Sequence, residues 1–163
     1  FKLDFKEYTM SFTDAVKNIS DVMEDSVKRH LIADVEVGSF LSSGIDSSYI
    51  VSLARPHKTY TVGYENKKYD EINYAKDLAD KLGIKNESKI IKKDEYLDAI
   101  PKIMYHLDEP TSDPAAISLY FVAKLASRDL KVVLSGEGAD EFFGGYNYYR
   151  EEVDYKFYNK KSQ

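Results

Sequence analysis

Short apolar segments typical of β-strands alternate along this chain with longer segments in which apolar residues recur at helical spacing. The strand-like segments span residues 34–41, 58–62, 87–91 and 131–134. A turn and then a helix-like segment follow each of the first three, and this order is typical of parallel strands joined by crossover helices. The chain is therefore predicted to form an α/β fold, with a doubly wound, mainly parallel sheet that carries helices on both faces.

Local signals mark the beginning and end of most of these helices. Five helices are predicted, over residues 11–30, 47–54, 70–83, 94–107 and about 113–129. The side chains expected to cap them are Ser11 with Asp14, then Asp70, Asp94 and Asp113 before Pro114. Gly83 is a typical C-terminal residue. Pro101 is expected to kink or split the fourth helix, because proline lacks the N–H that a helix interior needs.

In doubly wound sheets, ligands bind beyond the carboxyl ends of the strands, where the winding reverses. The turns that follow Leu41, Val62 and Leu134 are therefore the places to look for a functional site. The first of these turns reads LSSGIDSS over residues 41–48 and leads into a predicted helix. Its main-chain N–H groups and the helix dipole favour an anion such as phosphate, but the turn lacks the lysine of a Walker loop.

Asp46 adds a negative charge to this turn, so a bound polyphosphate implies a divalent cation between the two. Mg²⁺ is indicated because it favours carboxylate and phosphate oxygens. The alternative interpretation is structural: Asp46, Ser47 and Ser48 would only cap the helix that follows.

The turn after the fourth strand, residues 134–146, reads LSGEGADEFFGGY. Its four glycines suit a main chain wrapped around a ligand, and Glu137, Asp140 and Glu141 offer carboxylates to a metal or a substrate. An acidic surface turn is the simpler alternative, although Phe142 and Phe143 indicate packing rather than free solvation. The spacing does not fit an EF-hand calcium loop.

The LSSGIDSS turn resembles the SGGxDS loop of the PP-loop ATP pyrophosphatases, which cleave ATP to AMP and pyrophosphate. Together with GEGADEFFGGY and with DEPTSDPAAI at residues 108–117, it resembles the synthetase domain of the asparagine synthetase family, over roughly residues 11–150. GMP and NAD synthetases would share the first motif and lack the second. Ser43 departs from the pattern, which has glycine there, and a positive φ at that position would strain a serine.

The resemblance implies an adenine nucleotide alpha hydrolase-like fold and ATP-dependent amidation of aspartate through an aspartyl-AMP intermediate. Leu41 and Val62 would line the adenosine pocket, and Ser135 and Gly136 would meet the nucleotide through their main chain. Pyrophosphate would be held by Ser42, Gly44, Asp46 and Ser47. Asp46 and Asp140 would ligate Mg²⁺, and Glu137 would act near the reacting carbonyl, taking a proton from the incoming ammonia.

Two other functions remain open at this point. A β-lactam synthetase-like enzyme would also cleave ATP to AMP but would use another acceptor, and a nucleotide-binding module without turnover would fit the departure at Ser43. A zinc site is not supported, because His30, His57 and His106 lack metal-binding spacing and the chain has no cysteine.

The composition of the chain limits the classes of partner that we expect it to bind. With 23 Lys and Arg against 28 Asp and Glu, the net charge of −5 does not favour nucleic acid, and no apolar run suits a membrane span. The absence of cysteine is weakly in favour of the cytoplasm. We expect small-molecule partners, namely ATP, aspartate and ammonia, while the resemblance leaves room for a homodimer of the full-length protein.

The 163 residues fit a single domain, and residues 1–163 are interpreted as a partial one. The chain begins at Phe1 rather than Met, and the resemblance implies a preceding glutaminase domain and a further carboxyl-terminal part that supplies a lysine to the phosphates. We therefore expect the 163 residues alone to bind nucleotide weakly and to form no asparagine.

Overall fold

The computed structural model describes residues 9–65, 71–110, 113–147 and 149. The strands in these ranges are β1 (Val37–Phe40), β2 (Lys58–Tyr64), β3 (Lys85–Ile91) and β4 (Val132–Leu134). The helices are α1 (Phe12–His30), α2 (Ile45–Ala54), α3 (Glu71–Leu82), α4 (Lys93–Leu107), α5 (Ala115–Ala126) and α6 (Ala139–Phe143). Within the same ranges, no helix is both long and apolar enough to cross a bilayer.

The four strands form one sheet in the order β3-β2-β1-β4, and every neighbouring pair is parallel. The register sets Phe40 opposite Tyr60 and Gly38 opposite Val133. The chain builds outward from β1 through β2 to β3 and then returns to add β4 on the other side of β1. This reversal confirms the doubly wound fold and creates a switch point between β1 and β4.

Apolar side chains cover the sheet on both faces. On one face, Val51 of α2 and Ala79 of α3 are buried together with Leu41. On the other face, Tyr60 of β2 packs with Val122 and Leu125 of α5. The remaining cluster on that face joins α4, α5 and the end of β3 through Ile103, Phe121 and Ile91. Two crossover helices therefore lie on one face and two on the other, as the alternating pattern predicted.

The ends of several elements differ from prediction. The cap predicted at Asp94 is wrong: Lys92 is the N-cap residue, and its N–H donates to Glu95 Oε2 at 3.2 Å. The third residue of the helix thus reaches back to the cap, which leaves Asp94 in the first turn. Pro101 does not split α4, which continues to Leu107 with the proline on its exposed side. The predicted cap at Asp70 lies outside the described residues.

Hydrogen bonding accounts for two further differences between the predicted and the observed ends of elements. β2 extends to Tyr64 because its pairing with β3 continues to the end, with Tyr64 opposite Ile91. α5 ends at Ala126 rather than near residue 129. Its last carbonyls are satisfied by a turn, in which Asp129 and Leu130 both donate their N–H to the carbonyl of Ala126.

Candidate functional site

A cavity of about 340 Å³ opens at the carboxyl ends of β1 and β4, at the switch point of the sheet. All of the residues to which the resemblance assigned a role in the site line it. These ten residues are Leu41, Ser42, Gly44, Asp46, Ser47, Val62, Ser135, Gly136, Glu137 and Asp140. Asp46 and Asp140, to which the resemblance assigned a shared Mg²⁺, therefore line one cavity, although 93 residues separate them in the sequence.

Serine hydroxyls hold the first turn in shape. Ser42 Oγ accepts the N–H of Gly44 at 3.1 Å, and Ser47 Oγ accepts the N–H of Ser42, also at 3.1 Å. The hydroxyls of Ser42 and Ser47 lie 2.9 Å apart, and Ser48 donates to the carbonyl of Gly44 at 2.7 Å. The turn is thus tied to itself by side chains that come from both of its ends.

The N-cap residue of α2 is Gly44, so the alternative in which Asp46 and its neighbours cap the helix is wrong. Because a glycine caps it, the first turn of α2 keeps main-chain N–H groups that no side chain satisfies from the cap position. Such N–H groups, at the positive end of the helix dipole, favour a bound anion. Asp46 lies in this same turn.

Ser43 carries no backbone strain of the kind considered above. Among the described non-glycine residues, positive φ occurs at Arg55 and Asp108, with values of 46° and 60°, and Ser43 is not one of them. The chain passes Ser43 in a bend and enters α2 through Gly44 at φ −72° and ψ 153°, which any residue can adopt. Serine at position 43 is therefore compatible with this turn.

The two glycine-containing turns touch each other at Gly136. A Cβ on that residue would lie 2.8 Å from the main-chain N of Ser47 and 3.1 Å from the Cβ of Asp46. Real side chains essentially never approach so closely, and the main-chain neighbour cannot move aside easily. Glycine at this position is what allows the β4 turn to pack against the first turn of α2.

The second turn contains a short helix, α6, that we did not predict. Gly138 precedes it at φ +92° and Gly144 follows it at φ +65°, both values that favour glycine. The helix carries Asp140 and Glu141, and Glu141 Oε1 accepts the hydroxyl of Tyr146 at 2.8 Å. Phe142 and Phe143 are 80% and 60% exposed, so the expectation that they pack inside the turn is wrong.

The charged side chains in the described lining of the cavity are all acidic. Five carboxylates line it, on Asp46, Glu71, Glu137, Asp140 and Glu141, and its described lining contains no Lys, Arg or His. Across the described parts of the chain, no three acidic, His or Cys side chains are grouped closely enough to hold a metal by themselves. A cation here would need further ligands from a bound molecule, and phosphate oxygens are suitable donors.

Several wall residues of the cavity were not predicted from the sequence. α5 contributes one face through Ala115, Ser118, Leu119 and Val122, and their spacing of three and four residues is the signal that could have grouped them. Glu71, at the start of α3, carried no recognisable motif. Ser118 Oγ lies 2.7 Å from the hydroxyl of Tyr64, a contact that joins α5 to the end of β2 beside the cavity.

The parallel sheet, the switch-point cavity and the turn leading into α2 define the class: an adenine nucleotide alpha hydrolase-like α/β fold. Solved structures share it. A glutamine-dependent NAD+ synthetase from Acinetobacter baumannii, in complex with ADP, aligns with a TM-score of 0.52 and 17% identity over 88% of this chain and 29% of that chain. An NMN synthetase from Francisella tularensis aligns with a TM-score of 0.51 and 20% identity, over 85% and 59%.

Within this class, the sequence matches the asparagine synthase family model over residues 18–163, and the chain belongs to that family. Asparagine synthetase [glutamine-hydrolyzing] 1 of Bacillus subtilis is 51% identical over 160 residues, which cover 96% of this chain and 25% of that protein. Asparagine synthetase B of Escherichia coli is 32% identical over 169 residues, covering 88% and 30%. The chain therefore spans about a quarter of the length of the B. subtilis relative.

Proposed function

We propose that this chain is the ATP-using part of an asparagine synthetase. In the complete protein, the side-chain carboxylate of aspartate would attack the α-phosphorus of ATP and release pyrophosphate, and ammonia would then displace AMP from the aspartyl-AMP to give asparagine. The observation that carries the proposal is the meeting of both family turns in one cavity whose charged side chains are all carboxylates. Family membership supports the choice of reaction.

The nucleotide has a complementary wall in this cavity. Leu41 and Val62 contribute apolar surface for the adenosine, and the main chain of Ser135 and Gly136 approaches from the opposite turn. The pyrophosphate part would lie against Ser42, Gly44 and Ser47, where the uncapped N–H groups of α2 favour phosphate oxygens.

Mg²⁺ fits the donors that this site offers. Asp46 and Asp140 bring carboxylate oxygens to the same cavity from the β1 and β4 turns, and ATP would bring phosphate oxygens, which together suit Mg²⁺. When bound, the ion would neutralise charge on the phosphates and on the departing pyrophosphate. Without it, the carboxylates would repel the triphosphate, because the described lining has no basic side chain.

Glu137 is the carboxylate best placed to act on the substrates rather than on the metal. It lies in the turn directly after β4, exposed, and its N–H donates to Ser135 Oγ at 3.4 Å. It lines this cavity and also an adjacent apolar cleft between α1, α2 and α6. We propose that it takes a proton from ammonia as the new C–N bond forms.

The rest of the reaction belongs to the longer protein. We propose that ammonia comes from glutamine through a separate domain and that the complete enzyme acts in the cytoplasm on small molecules, with a homodimer as one possible assembly. The printed names of the relatives, which include glutamine hydrolysis, support the glutamine source. The 163 residues alone should bind nucleotide weakly and form no asparagine, because later parts of the family's synthetase domain would complete the site.

The structure bears on one of the two alternative functions and not on the other. A nucleotide-binding module without turnover was motivated by Ser43, and the absence of positive φ there removes that motive. A synthetase with another acceptor, similar to β-lactam synthetases, uses the same half-reaction, so only the acceptor separates it from our proposal.

The proposal is tested by pyrophosphate release from the full-length protein in ammonium, Mg²⁺ and ATP, with and without aspartate. We expect release that depends on aspartate and matches the asparagine formed. Glu137→Gln should keep ATP binding and slow amide formation, whereas Glu24→Gln, on the exposed side of α1, should change neither. Pyrophosphate release at the same rate with and without aspartate would rule out aspartate as the substrate.

A further inference from the structure

Glu71 stands apart from the other four carboxylates of the cavity. Asp46 follows β1, and Glu137, Asp140 and Glu141 follow β4, so these four lie on the two turns that meet at the switch point. Glu71 instead begins α3, which follows β2 on the other side of β1. Because neighbouring strands are about 4.8 Å apart, Glu71 approaches the cavity from the side opposite to the β4 turn.

A close contact between Gly63 and the side chain of Ile72 positions the start of α3, where Glu71 lies. A Cβ on Gly63 of β2 would lie 2.9 Å from Cγ1 and from Cδ1 of Ile72. Glycine there lets the Ile72 side chain in the first turn of α3 pack directly on β2, and Glu71 is the residue before Ile72. Glu71 and Val62 both line the β2 side of the cavity, and Val62 is part of the wall assigned above to the adenosine.

Charge decides which part of the nucleotide Glu71 can face. Asp46 and Asp140 can share a cation with the phosphates, but a carboxylate on the β2 side of the cavity has no such compensation and would repel a phosphate. The Glu71 carboxylate is stable next to neutral hydrogen-bond donors, and its position in the first turn of α3 stabilises its negative charge through the helix dipole. Two neighbouring hydroxyls match the two oxygens of a carboxylate, as in dinucleotide-binding folds, where an acidic side chain binds a ribose.

We propose that Glu71 accepts hydrogen bonds from the 2′- and 3′-hydroxyls of the nucleotide ribose and so makes this site selective for ribonucleotides. This inference rests on the proposed function, because it takes ATP as the ligand. It adds a residue that reads the sugar to the residues that hold the phosphates and the base.

The test measures dissociation constants of this chain for ATP, 2′-deoxyATP and 3′-deoxyATP in Mg²⁺, for the wild type, Glu71→Ala and Asp94→Ala. Asp94 is an exposed acid in the first turn of α4, outside the cavity, so its replacement matches the loss of helix-end charge. Hydrogen bonds to a charged group predict about 10-fold weaker binding of each deoxynucleotide to the wild type and to Asp94→Ala. In Glu71→Ala the three ligands should bind within about 2-fold of one another.

The ratio of affinities within one variant does not depend on how much of that variant is folded. Equal discrimination by the wild type and Glu71→Ala would overturn the role of Glu71 while leaving ATP binding intact. No discrimination by the wild type would do the same. If the wild type bound none of the three nucleotides, the nucleotide site proposed for this chain and this inference would both fail.

Discussion

The two ends of the central sheet differ in whether their charged side chains have partners of opposite charge. At the amino end, Lys58 of β2 is bonded to both Glu87 and Asp129, and Asp129 also accepts the hydroxyl of Tyr60 at 3.2 Å. At the carboxyl end, five carboxylates line a cavity that has no basic side chain in its described lining. The charged groups of one end are paired within the chain, whereas our proposed function supplies the other end with a cation and a nucleotide.

The difference separates stability from function. At the amino end, hydrogen bonds to Asp129 and Glu87 raise the pKa of Lys58, and the bond from Lys58 lowers the pKa of Asp129. Lys58 and Asp129 therefore each favour the charged form of the other, and the ion pairs of Lys58 join β2, β3 and the turn before β4. At the carboxyl end, the carboxylates have no basic partner in the described lining of the cavity, which is typical of a binding site whose side chains are selected for a ligand rather than for stability.

The largest effect should follow replacement of Asp46 or Asp140 by asparagine. In the full-length protein each change should lower the rate of asparagine formation ~100 to 1,000-fold, since each removes charge stabilisation from the reacting phosphates. The double variant should be little worse than the poorer single one, because groups that serve one ion act as a unit.

The same two variants should unfold at the wild-type temperature or slightly above it, because each relieves repulsion in the cavity. Steady-state kinetics and thermal unfolding of the four proteins check both points. Additive losses of rate would assign the two carboxylates to separate roles.

Lys58→Met should affect the stability of the fold rather than the binding of nucleotide. Lys58 is about 10% exposed at its side chain, while Glu87 and Asp129 are 34% and 42% exposed. We expect a loss of ~2 kcal/mol in the free energy of unfolding, below the ~3 to 5 of a fully buried pair, because water can solvate the remaining carboxylates. Nucleotide affinity of the folded protein should stay unchanged. Urea unfolding checks this against Lys131→Met, an exposed lysine near the same end of the sheet.

Two glycines allow a matched comparison of the ends. Gly136→Ala would force the β4 turn away from the main-chain N of Ser47 and should weaken nucleotide binding ~10-fold. At the amino half of β1, a Cβ on Gly38 would lie 2.6 Å from Leu130 Cδ1 and 3.0 Å from the carbonyl oxygen of Lys58. Gly38→Ala should therefore cost ~1 kcal/mol or more of stability and leave affinity unchanged. The comparison fails if both variants lose the same property.

The smallest effect is the acid response of the amino end. The folded-state pKa of Asp129 is lowered, first by its hydrogen bond from Lys58, so its contribution is complete above the ordinary aspartate pKa of about 3.9 and is lost as the pH falls through the lowered value. Asp129→Asn should flatten the decline of unfolding free energy below about pH 4. Unfolding curves at a series of acidic pH values test this, with Asp21→Asn in the exposed pair with Lys17 as the control.

Features with local causes were readable from the sequence. Gly83 ends α3 at φ +70°, as predicted, and the N–H of Ile84 then bonds back to the carbonyl of Ala79. The strands and their order of alternation were also recognisable, because apolar spacing reports directly on a buried sheet. The two turns of the cavity were found because each follows a strand and is rich in glycine, serine or acidic residues.

Features that depend on distant contacts were not readable. Nothing near Lys58 indicates that Asp129 is its partner, because the order of strands brings them together across 71 positions. Glu71 was missed for the same reason, since its place in the cavity depends on how α3 packs against Gly63. Pro101 shows that a local rule can be overridden: packing through Ala99 and Ile103 keeps α4 continuous around it.

The central claim is that the carboxyl end binds ATP and a divalent cation as one unit. Calorimetric titration of this chain with ATP, in Mg²⁺ and then in EDTA, tests it most directly. We predict measurable, weak binding in Mg²⁺ and no detectable binding in EDTA, because the carboxylates of the β1 and β4 turns would otherwise repel the triphosphate. Equal affinity in both conditions would contradict the account, since it would mean that ATP binds without a cation to balance those charges.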